Sequence, residues 1–171
     1  MVRTGSIFHT TSDTEVVLQL VARSKEEKTI DKLKDALSHI EGAYSLIIMT
    51  NKKLIGVRDP HGIRPLVLGK KGDAYVLASE TCALDIIGAR YVRDVRNGEM
   101  VVITDTGLES IQLSDSFKER PCIFERIYFA RPDSVMDGET VYTSRKRLGE
   151  QLAKENKIEA DVIVPIPDSG V

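Results

Sequence analysis

Hydrophobic and polar residues near the start of the chain follow the period of an α-helix. Residues 12–15 match a capping box, with Ser12 as the N-cap and Glu15 three residues further on. The apolar positions that follow fall on one helical face: Val16, Val17, Leu20 and Val21. A second stripe predicts a helix over residues 29–40, closed by Gly42: Ile30, Leu33, Leu37 and Ile40.

After Gly42 the pattern changes to short apolar runs separated by polar turns, which is typical of antiparallel strands. The predicted strands are residues 43–50, 54–58, 65–69, 74–78, 100–104 and 108–113. The first four form two hairpins, and a short helix over residues 80–87 follows them and ends at Gly88. Short antiparallel strands with two helices on one flank predict an α+β layered domain.

The pattern changes again after residue 113. Residues 123–130 predict an apolar strand, and residues 139–156 a charged helix with an apolar stripe at Leu148 and Leu152. Residues 161–166 are almost unbroken apolar, which favours a strand buried on both faces of a parallel sheet. A charged helix followed by such a strand is typical of the beginning of a doubly wound domain.

Composition limits the classes of function. The 171 residues are 42% hydrophobic and 29% charged, with a net charge of -2. This balance gives no support for binding to nucleic acid or to an anionic membrane surface, and the apolar runs are too short to span a bilayer. Cys82 and Cys122 are too few for a disulfide framework and suit a reducing compartment. We therefore expect a cytoplasmic protein with neither nucleic-acid nor membrane partners.

The segment with the most chemistry is residues 58–66, Arg-Asp-Pro-His-Gly-Ile-Arg-Pro-Leu. Asp-Pro with a nearby glycine favours a rigid turn. From the residues alone, a structural turn with an internal Arg–Asp pair is favoured over a binding role.

Three segments in this order resemble the glutamine amidotransferases of the N-terminal-nucleophile hydrolase class: residues 12–15, 58–66 and 78–81. Residues 121–134 and 164–170 narrow the resemblance to the glutamine phosphoribosylpyrophosphate amidotransferase (amidophosphoribosyltransferase) family. The resemblance implies a glutaminase domain that releases ammonia from glutamine. It also implies a phosphoribosyltransferase domain that joins the ammonia to phosphoribosyl pyrophosphate, giving phosphoribosylamine for purine synthesis.

With this resemblance, the expected fold is α+β. Residues 1–120 would be the C-terminal part of the N-terminal-nucleophile hydrolase layered domain, with antiparallel sheets and flanking helices. Residues 121–171 would be the first helix and strand of an α/β phosphoribosyltransferase domain. A single parallel strand cannot bury itself, so we expect an internal segment of a larger enzyme. Open sheet edges would make it a homo-oligomer or only marginally soluble.

Asp13 matches the carboxylate that receives the α-amino group of glutamine in this family. A carboxylate suits an ammonium group because charge-assisted hydrogen bonds are strong. The alternative is that Asp13 only interacts favourably with the N-terminus of a helix. Both roles are compatible.

Two further positions match metal ligands in some family members. Cys122 matches a ligand of a [4Fe–4S] cluster, which needs about four thiolates; the alternative is a small buried hydrophobic residue. Ser169 matches a magnesium ligand, in a loop after a strand. Magnesium is therefore the expected cofactor, with a cluster as a further option in the intact enzyme.

The other reactive residue types are interpreted as structural. Cys82 is expected in the core, and His9, His39 and His61 have no metal-binding spacing. The basic run at residues 145–147 is expected to be a solvated helix face.

The family's nucleophile is an N-terminal cysteine, and the chain begins with Met1. No catalytic residue is therefore assigned. Two alternatives stay open: a glutaminase-domain segment of another N-terminal-nucleophile amidotransferase, and a non-catalytic remnant that binds a partner.

We predict that the purified 171-residue chain does not release ammonia from glutamine, because the residues that resemble the family include no N-terminal thiol. A coupled ammonia assay measures this. Ammonia release above a no-protein background would contradict the expectation of incompleteness.

Overall fold

The computed structural model describes residues 7–113, 118–168 and 170–171. Its contacts divide the chain into two compact units, one ending at Gly42 and one beginning at Ala43, and each is described by itself. Within the described ranges, no helix combines the length and the apolar character needed to cross a membrane.

The first unit is a pair of packed α-helices, α1 (Thr14–Arg23) and α2 (Thr29–Ser38). The predicted stripe of α2 is confirmed at Leu33 and Leu37, which are buried together with Ala36. The helix ends before the predicted Ile40. Both predicted helices therefore exist. The last predicted turn of α2 is absent, and on the apolar face predicted for α1 no residue is fully buried and Val16 is exposed.

The second unit is built mainly of antiparallel strands. Its elements in chain order are β1 (Ser45–Met49), β2 (Leu54–Arg58), β3 (Val67–Lys71), β4 (Ala74–Ala78), α3 (Thr81–Ile86), β5 (Arg90–Asp94), β6 (Glu99–Thr104), β7 (Gly107–Gln112), a π-helix (Glu125–Phe129), β8 (Val135–Met136), β9 (Glu139–Thr140) and α4 (Val141–Glu155). One sheet has the order β1-β2-β6-β7, a second has the order β4-β3-β5, and β8 pairs with β9. The α+β class with antiparallel sheets is therefore confirmed.

The predicted hairpins are the pairs β1–β2 and β3–β4. The strand β5 was not predicted from the sequence. Its residues are Arg-Tyr-Val-Arg-Asp, and most of them are exposed at the edge of the second sheet. An edge strand with little apolar alternation lacks the periodic signal on which strand prediction depends.

Two glycines allow the layers of this unit to approach closely. A Cβ on Gly56 of β2 would lie 2.7 Å from Leu77 Cδ1 of β4, where the two sheets face each other. A Cβ on Gly69 of β3 would lie 2.6 Å from Leu84 Cδ2 of α3. The apolar clusters on the two faces of the second sheet are Leu66, Val95, Val101 and Leu77 toward the first sheet, and Val67, Leu84, Ala89, Val76 and Ala78 toward α3.

The strand predicted over residues 123–130 is wrong, because this segment is helical and includes the π-helix. Ala130 N donates to Glu125 O at 3.0 Å, which is the i to i+5 hydrogen bond of a π-helix. Glu125 and Ala130 are both buried, while Phe124 and Tyr128 are exposed. A short apolar run does not by itself distinguish a strand from a helix.

The strand predicted over residues 161–166 is also not formed. Val162, Ile163 and Val164 are at least 74% exposed, and no described strand pairs with this segment. An apolar run becomes a strand only when a neighbouring strand accepts its backbone hydrogen bonds. The preceding helix α4 is confirmed, but Leu148 and Leu152 are exposed. The expected start of an α/β domain, and the boundary at residues 120/121, therefore stay predictions.

A buried carboxylate on β6 links β5, at the edge of the second sheet, to β7, at the edge of the first sheet. Glu99 is fully buried and accepts a bidentate ion pair from Arg93, with N–O distances of 2.7 and 2.8 Å. It also accepts from the Arg96 backbone N–H at 2.6 Å and from Ser110. Burial raises the pKa of Glu99, but the hydrogen bonds from Arg93, Ser110 and Arg96 outweigh it and leave this pKa below the ordinary value.

We predict that Glu99→Gln lowers the free energy of unfolding by about 3 kcal/mol, because the substitution breaks a buried ion pair. Since the folded-state pKa of Glu99 is lowered, its stabilising contribution exists above the unfolded-state pKa and is lost as the pH falls through the folded-state value. Urea unfolding at pH 7 and at pH 4 measures this, with the exposed Glu109→Gln on β7 as the control. If Glu99→Gln and Glu109→Gln lowered the free energy of unfolding equally at pH 7, the role of the ion pair would be contradicted.

Candidate functional site

The loop before α1 is fixed by Glu15. Its carboxylate accepts from the backbone N–H groups of His9 and Thr10, both at 2.8 Å, and from the Thr10 hydroxyl at 2.6 Å. The hydrogen bonds from Thr10 and His9 hold the pKa of Glu15 below its ordinary range. Gln19 adds a hydrogen bond to the Ile7 carbonyl at 2.9 Å. The loop over residues 7–13 is therefore attached to α1 at several points.

The predicted capping box is not formed in the expected way. Asp13, not Ser12, occupies the N-cap position, and its side chain makes no capping hydrogen bond. The Ser12 hydroxyl instead lies 2.6 Å from the Thr14 hydroxyl. Glu15 does reach back, but to His9 and Thr10. The Asp13 backbone is helical, with φ -63° and ψ -31°, so it extends the helix rather than flanking it as a standard cap does.

Asp13 is exposed at the N-terminus of α1, on a loop whose backbone is held in place by Glu15. A carboxylate here is favoured by the helix dipole, and because it makes no capping bond it can accept hydrogen bonds from a ligand. The ligand role of Asp13 stays a prediction.

The 58–66 segment is a turn held from both sides by charged side chains. Asp59 is fully buried, and its carboxylate accepts from the backbone N–H groups of His61 at 2.9 Å and Ile63 at 3.0 Å. Arg58 donates to three carbonyl oxygens, those of Arg64 at 2.9 Å, Val95 at 3.0 Å and Gly62 at 3.1 Å. The interpretation as a structural turn is confirmed.

The internal Arg–Asp pair expected in this turn is wrong. Both charged groups bond to the backbone, because a turn of this tightness presents unpaired N–H and C=O groups that must be satisfied when buried. Charged partners make such bonds stronger than neutral ones do. The turn is therefore stabilised as a unit by Arg58 and Asp59.

The same turn holds the chain that follows the first two sheets. Arg120 N donates to His61 O at 2.9 Å, and Cys122 N donates to Ile63 O at 3.1 Å. His61 Nδ1 lies 2.9 Å from Lys118 O. Residues 118–122 are therefore joined to the 61–63 segment by two backbone hydrogen bonds.

Residues 78–81, which carried part of the family resemblance, position a second turn. Glu80 Oε2 accepts from the Arg131 backbone N–H at 2.7 Å and from the buried Ser134 hydroxyl at 2.8 Å. Thr81 Oγ1 accepts from Val135 N at 2.8 Å. The two resembling motifs thus organise the backbone of the segments that follow residue 118.

Arg64 and Glu125 link the turn to the π-helix, and sequence reasoning missed both. Arg64 Nε lies 2.6 Å from Glu125 Oε1, and its guanidinium lies 4.6 Å from the centre of the Phe129 ring. Glu125 is buried, and Glu80 is close enough to affect it electrostatically. The signal available in the sequence was the charged pair Glu125-Arg126 within an otherwise apolar run.

The basic run at residues 145–147 is only partly a solvated face. Arg145 donates to Arg126 O at 2.6 Å and to Ala130 O at 2.8 Å, so it satisfies carbonyls near the end of the π-helix. Lys146 and Arg147 are exposed. The prediction is therefore wrong for Arg145, because helix-terminal carbonyls attract a cationic donor.

Of the two predicted metal ligands, Cys122 lies within the described residues and Ser169 does not. Cys122 is a partly exposed free thiol, and Cys82 is a free thiol in the core, as expected. Ser169 lies outside the described residues. Within the described part of the chain, no group of three or more histidine, cysteine, aspartate or glutamate side chains is arranged to hold a metal ion.

We predict that Gly62→Ala destabilises the turn more than its backbone strain alone explains. Gly62 has a φ of 62°, and an added Cβ would lie 1.9 Å from Asn97 Oδ1. Gly72 is the matched control, because its φ is 59° and an added Cβ meets nothing within 4 Å. Gly72→Ala should cost about 1 kcal/mol for the left-handed conformation, and Gly62→Ala about 2 kcal/mol more. Equal urea midpoints for the two variants would contradict the packing of Asn97 against Gly62.

Comparison with known proteins places these features in one group of enzymes. Residues 1–85 match the family model described as a glutamine amidotransferase domain. The chain is 52% identical to the amidophosphoribosyltransferase of Rhizobium etli over 99% of this chain and 35% of the relative, and 54% identical to the chloroplastic one of Glycine max over 98% and 30%. The chain therefore spans about a third of the length of these relatives.

The structural comparison agrees. The fold superimposes on glutamine phosphoribosylpyrophosphate amidotransferase from Bacillus subtilis, solved in complex with ADP and GMP, with a TM-score of 0.95 and 48% identity. The match covers 99% of this chain and 37% of that chain.

Proposed function

The chain belongs to the amidophosphoribosyltransferase family over about a third of its relatives' length, and on this premise we propose the activity of the protein that carries it. It hydrolyses glutamine and transfers the ammonia to phosphoribosyl pyrophosphate, which gives 5-phosphoribosylamine. The observation that carries this proposal is the similarity along the whole chain, at about half of all positions. Glutamine and phosphoribosyl pyrophosphate are the proposed substrates.

The extent of the similarity favours this activity over that of other glutamine amidotransferases. The glutamine amidotransferase model matches only residues 1–85, whereas the relatives named amidophosphoribosyltransferase match nearly to residue 171. The additional similarity includes residues 118–122 and 131–135, which the 58–66 turn and Glu80 hold in place. Within the second unit, segments beyond the amidotransferase match are thus held in place by residues inside it.

Asp13 is the proposed contact for the α-ammonium of glutamine. The support is its exposure, its lack of a capping hydrogen bond and the rigid loop beside it. The first step of recognition would be a charge-assisted hydrogen bond from the ammonium to the Asp13 carboxylate. The helix N-terminus next to it stabilises the ionised carboxylate.

The described residues do not by themselves fit either proposed metal group. A [4Fe–4S] cluster needs about four thiolates, and Cys122 is the one thiol outside the core in the described ranges. We propose Cys122 as a single cluster ligand and Ser169 as a single magnesium ligand, and no chemical step is derived through either group. A cytoplasmic location and a homo-oligomer also stay proposals, and the Glycine max relative is named chloroplastic.

We predict that Asp13→Asn, in the protein that carries this sequence, raises the KM for glutamine about tenfold or more. A charge-assisted hydrogen bond contributes roughly 1.5–3 kcal/mol, and about 1.4 kcal/mol corresponds to a factor of ten. Synthesis of phosphoribosylamine from added ammonium should be unchanged, because that reaction does not use the glutamine site. Glutamate formation and ammonium-dependent synthesis are measured separately.

Asp31→Asn is the matched control, since Asp31 is an acidic residue on α2 whose ion pair with Lys34 is 3.6 Å long and about 40% exposed. An unchanged KM in Asp13→Asn would remove the role of Asp13 and leave the proposed activity intact. A wild-type protein that forms neither glutamate from glutamine nor phosphoribosylamine would contradict the proposed activity itself, and would favour a non-catalytic role.

A further inference from the structure

The segment before α1 is held by two side chains from one face of that helix. Glu15 and Gln19 are four residues apart, so they lie on the same side of α1. Glu15 reaches back to the backbone of residues 9 and 10, and Gln19 Nε2 donates to the Ile7 carbonyl at 2.9 Å. The path of the segment therefore depends on side chains of the helix that follows it.

Glu15 makes the larger contribution, because its carboxylate accepts three hydrogen bonds. Oε1 accepts from the His9 backbone N–H at 2.8 Å, and Oε2 accepts from the Thr10 backbone N–H at 2.8 Å and from the Thr10 hydroxyl at 2.6 Å. Hydrogen bonds to an ionised acceptor are roughly twice as strong as those between neutral groups. Both carboxylate oxygens thus fix two consecutive residues of the backbone.

Thr10 extends this order toward Asp13. Its hydroxyl oxygen accepts from the Ser12 backbone N–H at 3.2 Å while the hydroxyl donates to Glu15. The Ser12 carbonyl in turn accepts from the Glu15 backbone N–H at 3.2 Å. Asp13 therefore follows a residue, Ser12, that Glu15 fixes through its backbone and, by way of Thr10, through its side chain.

The Asp13 carboxylate itself is exposed and makes no capping hydrogen bond. Its position therefore depends on the backbone that carries it. Ordering a mobile binding group when a ligand arrives costs conformational entropy, and this cost lowers the affinity. A segment that is already fixed avoids part of that cost, so the hydrogen bonds of Glu15 favour binding at Asp13.

We propose that Glu15 is a positioning residue for glutamine recognition, and that it acts through Thr10 and Ser12 to place Asp13. This inference rests on the proposed function, because it takes Asp13 as the contact for the α-ammonium group of glutamine. Glu15 stays bonded to the protein backbone and does not touch the substrate. Its effect is confined to the glutamine-dependent reaction, since synthesis from added ammonium does not use this segment.

The first test is Glu15→Gln in the protein that carries this sequence. The side chain keeps its length, but an amide NH2 group cannot accept from a backbone N–H, so the bond to His9 or the bonds to Thr10 are lost. The KM for glutamine should rise about fivefold, because the segment must then be ordered on binding. The kcat for glutamine hydrolysis and the ammonium-dependent synthesis should stay the same.

Thr10→Val is a second variant, which removes only the hydroxyl that joins Glu15 to Ser12. It should raise the KM for glutamine in the same direction by a smaller factor. Glu27→Gln, at an exposed position between α1 and α2, is the matched control and should leave this KM unchanged. An unchanged KM in Glu15→Gln would overturn the proposal, and so would an equal loss of the glutamine-dependent and the ammonium-dependent reactions.

A double variant shows whether Glu15 acts through Asp13. The KM for glutamine in Asp13→Asn/Glu15→Gln should be no higher than in Asp13→Asn alone, because the contact that Glu15 places is already weakened. Increases that multiply in the double variant would contradict the positioning role. If Asp13→Asn left the KM unchanged, both this inference and the proposed role of Asp13 would fail.

Amide hydrogen exchange in the full chain checks the hydrogen bonds independently of any activity. The backbone amides of His9 and Thr10 should exchange faster in Glu15→Gln than in the wild type, and at the wild-type rate in Glu27→Gln. Equal rates in Glu15→Gln and the wild type would overturn the positioning role and leave the proposed function intact. A wild-type protein without glutaminase activity would instead overturn the proposed function and, with it, this inference.

Discussion

The second unit depends on the buried carboxylate of Asp59. This side chain accepts from two backbone N–H groups of its own turn, while the neighbouring Arg58 satisfies three carbonyl oxygens. One of those carbonyls belongs to Val95, on the chain that leads from β5 to β6. The turn therefore connects the two sheets through the Arg58 side chain. Without those charged partners the same groups would be buried and unsatisfied, at a cost of about 1–3 kcal/mol each.

Contacts of this turn hold several neighbouring segments in position. The backbone of residues 61–63 pairs with residues 118–122, and Arg64 reaches the π-helix. Glu80 and Thr81 hold the turn at residues 131–135 from another side. In the second unit, the segments that resemble the amidotransferases thus mainly hold the backbone of neighbouring segments in position. The candidate ligand contact, Asp13, lies in the first unit.

Prediction from sequence succeeded where a local period carries the information. The helices α1, α2 and α4 and both hairpins follow from apolar spacing and turn residues. The 58–66 segment was predicted as a turn because Asp-Pro and Gly restrict the backbone locally. Asp13 was singled out by a motif, and nothing in the structure moves it from an exposed, available position.

Prediction from sequence failed where the partner of a residue lies far away in the chain. Arg58 bonds to Val95, and Glu125 to Arg64, and no local pattern encodes such pairs. The segment 123–130 was misassigned because an apolar run of that length fits a strand and a helix equally. Residues 161–166 have the composition of a strand, but a strand exists only beside another, and none of the described strands pairs with them.

Gly56 and Gly69 make the packing of the layers sensitive to strand register. A slip of β2 by one residue would place Ile55 or Val57 opposite Leu77, where only a hydrogen atom fits at present. Such a misaligned sheet could not close against its neighbour. Gly56 thus makes close docking of the two sheets depend on the native register of β2, and Gly69 sets the same condition for β3 against α3.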